Sequence, residues 1–85
     1  GLATGWVHLG NCYFFKSDYD NAERCYRKAL TRDSKMREAT INLANILCRT
    51  GRAVEGAEFL DTYPKTYFTK ADMQVVDYCY RQAGR

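Results

Sequence analysis

Residues 6–13 have the sequence WVHLGNCY, and residues 19–30 have the sequence YDNAERCYRKAL. In both stretches apolar and small residues recur at spacings of three and four, which places them on one face of an α-helix. These residues are Trp6, Leu9, Gly10 and Tyr13 in the first stretch and Tyr19, Ala22, Tyr26, Ala29 and Leu30 in the second. Between them, Ser17 and Asp20 have the spacing of a capping box. The two stretches therefore predict a helical hairpin whose second helix begins near Ser17.

The same spacing predicts three further helices. Their apolar faces contain Met36, Ala39, Leu43, Ile46 and Leu47; then Ala53, Gly56, Ala57 and Leu60; and finally Met73, Val76, Tyr80 and Ala83. Gly51 suits the left-handed residue that follows a helix, and Pro64 ends the fourth helix by about Thr62. Thr69 and Asp72 predict the start of the fifth helix. No segment shows the sustained alternation of a strand, so we expect an all-α fold of five helices.

The chain resembles itself after a shift of 34 residues. Under this shift small residues correspond to small ones and large residues to large ones. The corresponding pairs are Leu9 and Leu43, Gly10 and Ala44, Asn11 and Asn45, Ala22 and Gly56, and Tyr26 and Leu60. A period of this length is typical of helical-hairpin arrays. Because one hairpin cannot bury its apolar face alone, the pattern predicts hairpins that stack into a solenoid.

The residues Trp6-x-x-Leu9-Gly10-x-x-Tyr13, followed by Ala22, Tyr26 and Ala29, resemble the tetratricopeptide repeat. The resemblance implies an α-solenoid of antiparallel helical hairpins in a right-handed superhelix. It divides one array of residues 1–85 into about two and a half repeats, over residues 3–36, 37–70 and 71–85. The second repeat departs from the pattern, since Thr40 replaces the tryptophan and Pro64 shortens the second helix. We expect residues 71–85 to be a half repeat or a capping helix, and their mixed outer face favours a fragment of a longer array.

The net charge of +3 comes from 13 basic and 10 acidic residues that are spread along the chain. A nucleic-acid binder usually concentrates its basic residues in one stripe, so nucleic acid is not the expected partner. There is no apolar run long enough for a membrane span and no signal peptide. We therefore expect an intracellular protein of the cytoplasm that makes no contact with membranes.

The four cysteines give no sign of a metal or redox centre. Cys12, Cys25, Cys48 and Cys79 lie in apolar helical patterns without CxxC spacing, so we expect reduced, buried thiols, with a disulfide framework as the alternative. His8 and Cys12 are four residues apart, but no second pair completes a metal site. Catalysis needs a nucleophile and a positioned base, and the sequence offers no such set. We expect no metal, no cofactor and no enzymatic activity.

In the tetratricopeptide family, the first helix of each hairpin lines a concave groove that binds an extended peptide or a partner helix. By position, the resemblance implies the groove residues Val7, His8, Asn11, Phe14 and Phe15 in the first repeat and Ile41, Asn42, Asn45, Cys48 and Arg49 in the second. They lie off the packing faces, so many should be exposed. Apolar Phe14 and Phe15 beside polar groups are typical of a binding surface, unless helices of a longer array cover them.

The asparagines of this groove can donate to and accept from a peptide backbone at the same time. Asn11 and Asn42 match two positions of the carboxylate clamp that chaperone-binding members of the family use. The basic positions of the clamp do not match, since Val7 stands at the first of them. Without those cations a terminal carboxylate lacks its charged partners, so we do not expect the chain to bind chaperone tails.

The leading interpretation is a scaffold or adaptor module that binds a partner peptide or helix, or packs as a segment of a multi-subunit complex. Two alternatives stay open. Residues 47–57, LCRTGRAVEGA, resemble the pentatricopeptide repeat, which reads single-stranded RNA one base per repeat. The unpaired last helix could instead pack on a second copy of the chain. The sequence names neither the partner nor the oligomeric state, and it does not decide between the concave and the convex face.

Overall fold

A computed structural model describes all 85 residues and contains five α-helices, one 3₁₀ turn and no strand. The helices are α1 (Leu2–Phe15), α2 (Tyr19–Arg32), α3 (Arg37–Arg49), α4 (Ala53–Asp61) and α5 (Lys70–Gln82), and the 3₁₀ turn spans Lys65–Tyr67. The all-α class and the five predicted helices are confirmed. The chain divides into two compact units, unit 1 (Gly1–Leu43) and unit 2 (Ala44–Arg85), with the boundary inside α3. The division into 34-residue repeats stays a prediction.

The start of α2 differs from the sequence prediction by one residue. Asp18 is the N-cap, and its carboxylate accepts hydrogen bonds from the backbone N–H of Asn21 at 3.3 Å and from Asn21 Nδ2 at 2.7 Å. The capping box expected at Ser17 is wrong, because Ser17 lies in the preceding turn with φ 60°. The capping box between Thr69 and Asp72 is confirmed at the start of α5.

Unit 1 is built on the packing of α1 against α2, which meet most closely at Gly10. A Cβ atom added to Gly10 would lie 2.8 Å from Cε1 of Tyr26, so the Tyr26 ring packs directly on the bare backbone of α1. Tyr26 is fully buried, together with Val7, Ala22 and Ala29. Trp6 lies at the edge of this core, with the Lys28 ammonium 4.8 Å from its ring centroid.

The sequence predicted that Leu9 lies on the buried face of α1. This prediction is wrong, because 42% of the surface of Leu9 is exposed. Gly10 faces α2, and each residue of a helix is rotated by about 100° from its neighbour. This rotation carries the Leu9 side chain away from the α1–α2 contact.

Unit 2 packs α4 against the end of α3 at Gly56. A Cβ atom there would lie 3.2 Å from the carbonyl oxygen of Ala44 and 3.3 Å from Cβ of Leu47. The buried residues of this unit include Ala44, Ile46, Leu47, Ala57, Leu60, Val76 and Cys79. Gly51 has φ 85° after α3, which confirms its predicted left-handed conformation. Between α4 and α5, the rings of Tyr63 and Phe68 stack at 5.0 Å.

The prediction of four reduced, buried cysteines is wrong. Cys48 of α3 and Cys79 of α5 form a disulfide with a Cα–Cα distance of 5.3 Å. Cys12 is exposed, and Cys25 is the free cysteine that is buried. The two cysteines are 31 residues apart in the sequence. Their pairing could not be predicted from local spacing, because it depends on the packing of α3 and α5 within unit 2.

Candidate functional site

Three polar side chains, one from α2 and two from α3, are hydrogen-bonded to Asn11 of α1. The Tyr26 hydroxyl donates to Asn11 Oδ1, and Asn42 Nδ2 donates to the same oxygen at 3.2 Å. Asn11 Nδ2 in turn donates to Glu38 Oε2 at 3.1 Å. We call Asn11, Tyr26, Glu38 and Asn42 the amide cluster. Since Asn11 Oδ1 receives two donors, its two lone pairs are occupied and the plane of its amide is fixed.

The hydroxyl of Tyr26 is held in its protonated form. Burial raises the pKa of Tyr26 to about 12, against the smaller, opposite effect of its hydrogen bond with Asn42. A neutral hydroxyl keeps its proton for Asn11 at any physiological pH. The Tyr26 hydroxyl therefore remains a hydrogen-bond donor to Asn11.

The two side-chain amides of the amide cluster leave one donor and one acceptor unused. A side-chain amide has two N–H groups and an oxygen with two lone pairs. Asn11 donates one N–H to Glu38 and keeps the other, while Asn42 donates within the cluster and its Oδ1 accepts nothing from the chain. No buried side-chain oxygen or nitrogen lacks a partner, so Asn42 Oδ1 is open to solvent. The free N–H of Asn11 can pair with a carbonyl of a peptide backbone, and the free Oδ1 of Asn42 can pair with an N–H.

An exposed aromatic ring shares a face of α1 with Asn11. His8, Asn11 and Phe15 are spaced i, i+3 and i+7, which places them along one side of the helix. Phe15 is 85% exposed, the largest exposure among the exposed large apolar residues of the chain. Its neighbour Phe14 is half-buried and packs on Tyr19 at a ring distance of 5.5 Å. The face thus offers an uncovered ring about one turn from the amide of Asn11.

The family model for the tetratricopeptide repeat matches residues 3–36. These residues form a tetratricopeptide repeat. The repeat contains α1 and α2, and therefore includes Asn11, Phe15 and Tyr26. Repeats of this family serve as protein-interaction modules, so the chain carries such a module. No curated protein and no solved structure matches the chain.

The ten residues predicted to line the groove differ in accessibility. Exposed residues are His8, Phe15 and Arg49, and half-buried residues are Asn11, Phe14, Asn42 and Asn45. The expected exposure is wrong for Val7, Ile41 and Cys48, which are buried. Val7 precedes the more accessible His8 by one residue, and Ile41 precedes Asn42 by one residue, so each points about 100° away from that neighbour around the helix axis. Cys48 forms the disulfide with Cys79. Whether the other seven contact a partner in the tetratricopeptide groove stays a prediction.

Tyr26 and Glu38 belong to the amide cluster although sequence reasoning assigned them no role in the site. The signal for Tyr26 was present, because the hydroxyl of a buried tyrosine needs a hydrogen-bond partner and Asn11 is the polar residue next to Gly10 on α1. Glu38 precedes Asn42 by one helical turn, so the two share a face of α3.

The structure groups no three His, Cys, Asp or Glu side chains in a way that could hold a metal ion. Cys25 is buried, and burial raises the pKa of its thiol, which disfavours the thiolate form that binds metals and attacks electrophiles. No helix has the length and apolar character that crossing a membrane requires.

Proposed function

We propose that the chain is a non-catalytic interaction module that binds an extended peptide segment of a protein partner on one face of unit 1. This face consists of His8, Asn11, Phe15 and Asn42. This proposal is carried by two amides that are hydrogen-bonded to each other, of which Asn11 keeps an unused donor and Asn42 an unused acceptor.

An extended segment suits this face better than a helix does. The backbone N–H and C=O groups inside a helix are already bonded to one another, whereas those of an extended peptide are free to pair with Asn11 and Asn42. Because the amide cluster is fixed before binding, little conformational entropy is lost when the partner arrives. The proposal therefore assigns backbone recognition to the two asparagines.

Phe15 is proposed to supply most of the affinity. Burying a phenylalanine side chain is worth about 1.5–3 kcal/mol, and aromatic anchors surrounded by weaker polar contacts are common in protein interfaces. In the free chain this ring is 85% exposed. An apolar side chain of the partner that covers it would remove it from water.

A pull-down from cell lysate tests the proposal. The bait is wild type, a double variant with Phe15→Ala and Asn42→Ala, or the control Tyr67→Ala. Tyr67 is also an exposed aromatic residue, 69% accessible, but it lies in unit 2. Asn11 is left intact because its oxygen accepts from the buried Tyr26 hydroxyl. Circular dichroism establishes that all three baits are folded.

The proposal expects protein partners that bind wild type and Tyr67→Ala and are lost with the double variant. Retention of all partners by a folded double variant would show that another face binds. If the bound material is RNA, and the complex weakens steeply with salt, the pentatricopeptide-like alternative holds instead. If the bait captures mainly its own chain, the alternative of self-association holds.

A further inference from the structure

Arg49 at the end of α3 is held in place by two uncharged neighbours. Its Nε donates to Asn45 Oδ1 at 3.0 Å, and its guanidinium carbon lies 5.5 Å from the ring centroid of Tyr78 on α5. Both partners belong to unit 2. A hydrogen bond at Nε and a ring beside the guanidinium plane together restrict the side chain to a narrow range of orientations.

The positive charge of Arg49 is not neutralised by the chain. Other arginines pair with carboxylates: Arg27 with Glu23 at 2.9 Å, and Arg85 with Asp61 at 2.7 Å. Arg49 has no carboxylate partner, and its hydrogen bond to Asn45 uses Nε, so both of its terminal Nη groups remain available. An ordered cation with two parallel free donors is the arrangement that receives a carboxylate in bidentate fashion.

The disulfide fixes the two elements that hold Arg49. Cys48 precedes Arg49 on α3, and Cys79 follows Tyr78 on α5. The Cα atoms of Cys48 and Cys79 are 5.3 Å apart. The covalent link keeps the Tyr78 ring beside the guanidinium without any contribution from a ligand. A site that is ordered in advance binds its ligand with a smaller entropic cost.

We propose that Arg49, oriented by Asn45 and Tyr78, binds the carboxylate of an acidic side chain of a protein partner. A single guanidinium matches the single charge and two oxygens of a carboxylate, and Arg49 is the one cation that is hydrogen-bonded to Asn45 and placed over the Tyr78 ring. The inference rests on the proposed function only in taking the partner to be a protein, since its residues lie in unit 2 and those of the proposed peptide-binding face lie in unit 1.

Nuclear magnetic resonance of the Arg49 Nε–Hε group tests this site directly. The probe is an acetylated and amidated Gly-Glu-Gly-Glu-Gly peptide, and its glutamine counterpart is the control ligand. We expect the Arg49 resonance to shift saturably with the glutamate peptide and to stay in place with the glutamine peptide. Arg49→Lys keeps the charge but loses the planar fork, and about tenfold weaker binding is expected, which is followed through the backbone resonances of residues 45–50.

A matched control separates a built site from general attraction. Arg32→Gln removes the same charge from an exposed arginine at the end of α2, and it should leave glutamate binding unchanged, whereas Arg49→Gln should abolish it. Equal losses from the two variants would overturn the proposal, as would an equal response to both peptides. A stronger response to inorganic phosphate than to the glutamate peptide would overturn the assignment to carboxylates.

Asn45→Ala and Tyr78→Leu test the positioning of Arg49. Each should weaken glutamate binding while Arg49 keeps its charge, and unchanged binding in both would contradict the role given to these neighbours. The double variant Phe15→Ala and Asn42→Ala should retain the Arg49 response in full. If this double variant captures no partner but keeps the Arg49 response, the loss concerns the peptide-binding face alone. The two proposals can therefore be rejected independently.

Discussion

Asn11 accepts the hydrogen bond of a buried tyrosine hydroxyl and is also one of the residues proposed to bind a partner. Its replacement should therefore affect folding as well as the proposed binding. Asn11→Ala leaves the Tyr26 hydroxyl with only the long contact from Asn42 at 3.5 Å, and we expect a loss of about 1–3 kcal/mol in the free energy of unfolding. Tyr26→Phe removes the hydroxyl itself and should cost less, about 0.5–1.5 kcal/mol.

Urea denaturation of the two variants measures both costs. Adding Tyr26→Phe to Asn11→Ala should recover part of the stability, since no buried hydroxyl is then left without an acceptor. A double variant as unstable as the sum of the two single variants would contradict the amide cluster as described.

Two glycines of α1 should respond in opposite directions to alanine. A Cβ atom on Gly5 meets nothing within 4 Å, whereas one on Gly10 would lie 2.8 Å from the Tyr26 ring. Gly5→Ala should stabilise unit 1 by about 0.5–1 kcal/mol through helix propensity. Gly10→Ala gains the same propensity but forces the anchored ring to move, which costs about 1–3 kcal/mol. Thermal unfolding should show a higher Tm for Gly5→Ala than for Gly10→Ala, and the reverse order would refute the close approach at Gly10.

At the scale of elements, the end of α5 is held to α4 through Asp61. Its carboxylate accepts from both terminal nitrogens of Arg85, at 3.2 and 2.7 Å, and from the Tyr80 hydroxyl at 2.7 Å. The hydrogen bonds from Arg85 and then from Tyr80 lower the pKa of Asp61 from 3.8 to about 2. A lowered pKa stabilises the folded state above about pH 4, and this contribution is lost as the pH falls from about 4 to about 2.

Asp61→Asn should remove that part of the acid dependence. We expect the variant to be less stable than wild type at neutral pH, with the difference shrinking as the pH approaches 2. Thermal unfolding at a series of pH values measures it. Asp77→Asn, at an exposed position of α5, serves as a control for the loss of one negative charge. A constant difference between Asp61→Asn and wild type at every pH would contradict the assigned pKa.

The disulfide joins α3 to α5 within unit 2, and its removal should destabilise that unit. Cys79→Ser should lower the free energy of unfolding by about 2–4 kcal/mol under oxidising conditions, and reductant should lower the stability of wild type but not of the variant.

Alkylation followed by mass spectrometry should label Cys12 readily and Cys48 only after reduction. Labelling of Cys48 without reductant would show that the bond does not form.

At the scale of the whole molecule, the sequence was sufficient for the helices and for part of the site. Spacings of three and four define each helix, and Gly51, Pro64 and Thr69 mark ends and starts that the structure confirms. These signals are local, so they can be recognised without knowing what each helix packs on. They also placed Asn11, Asn42 and Phe15 on the accessible side.

The features that the sequence did not predict depend on contacts between distant residues. The Cys48–Cys79 bond and the pairing of Asn11 with Tyr26 require helices that are separated along the chain to meet at a specific register. The burial of Val7 and Ile41 depends on a rotation of one residue about the helix axis, which periodicity alone does not resolve. The family resemblance assigned Val7 and Ile41 to the groove by their position in the repeat. In the structure both side chains are buried by packing within the chain.

We propose that a protein partner covers the face of α1 that carries Phe15. Site-specific photo-crosslinking tests it, with benzoylphenylalanine placed at position 15 or, as a control, at the exposed position 67. We expect position 15 to crosslink to a discrete protein in lysate and position 67 to give no such crosslink. We also expect Asn42→Ala to weaken the crosslink from position 15. A crosslink from position 67 with none from position 15 would contradict it and move the binding surface to unit 2.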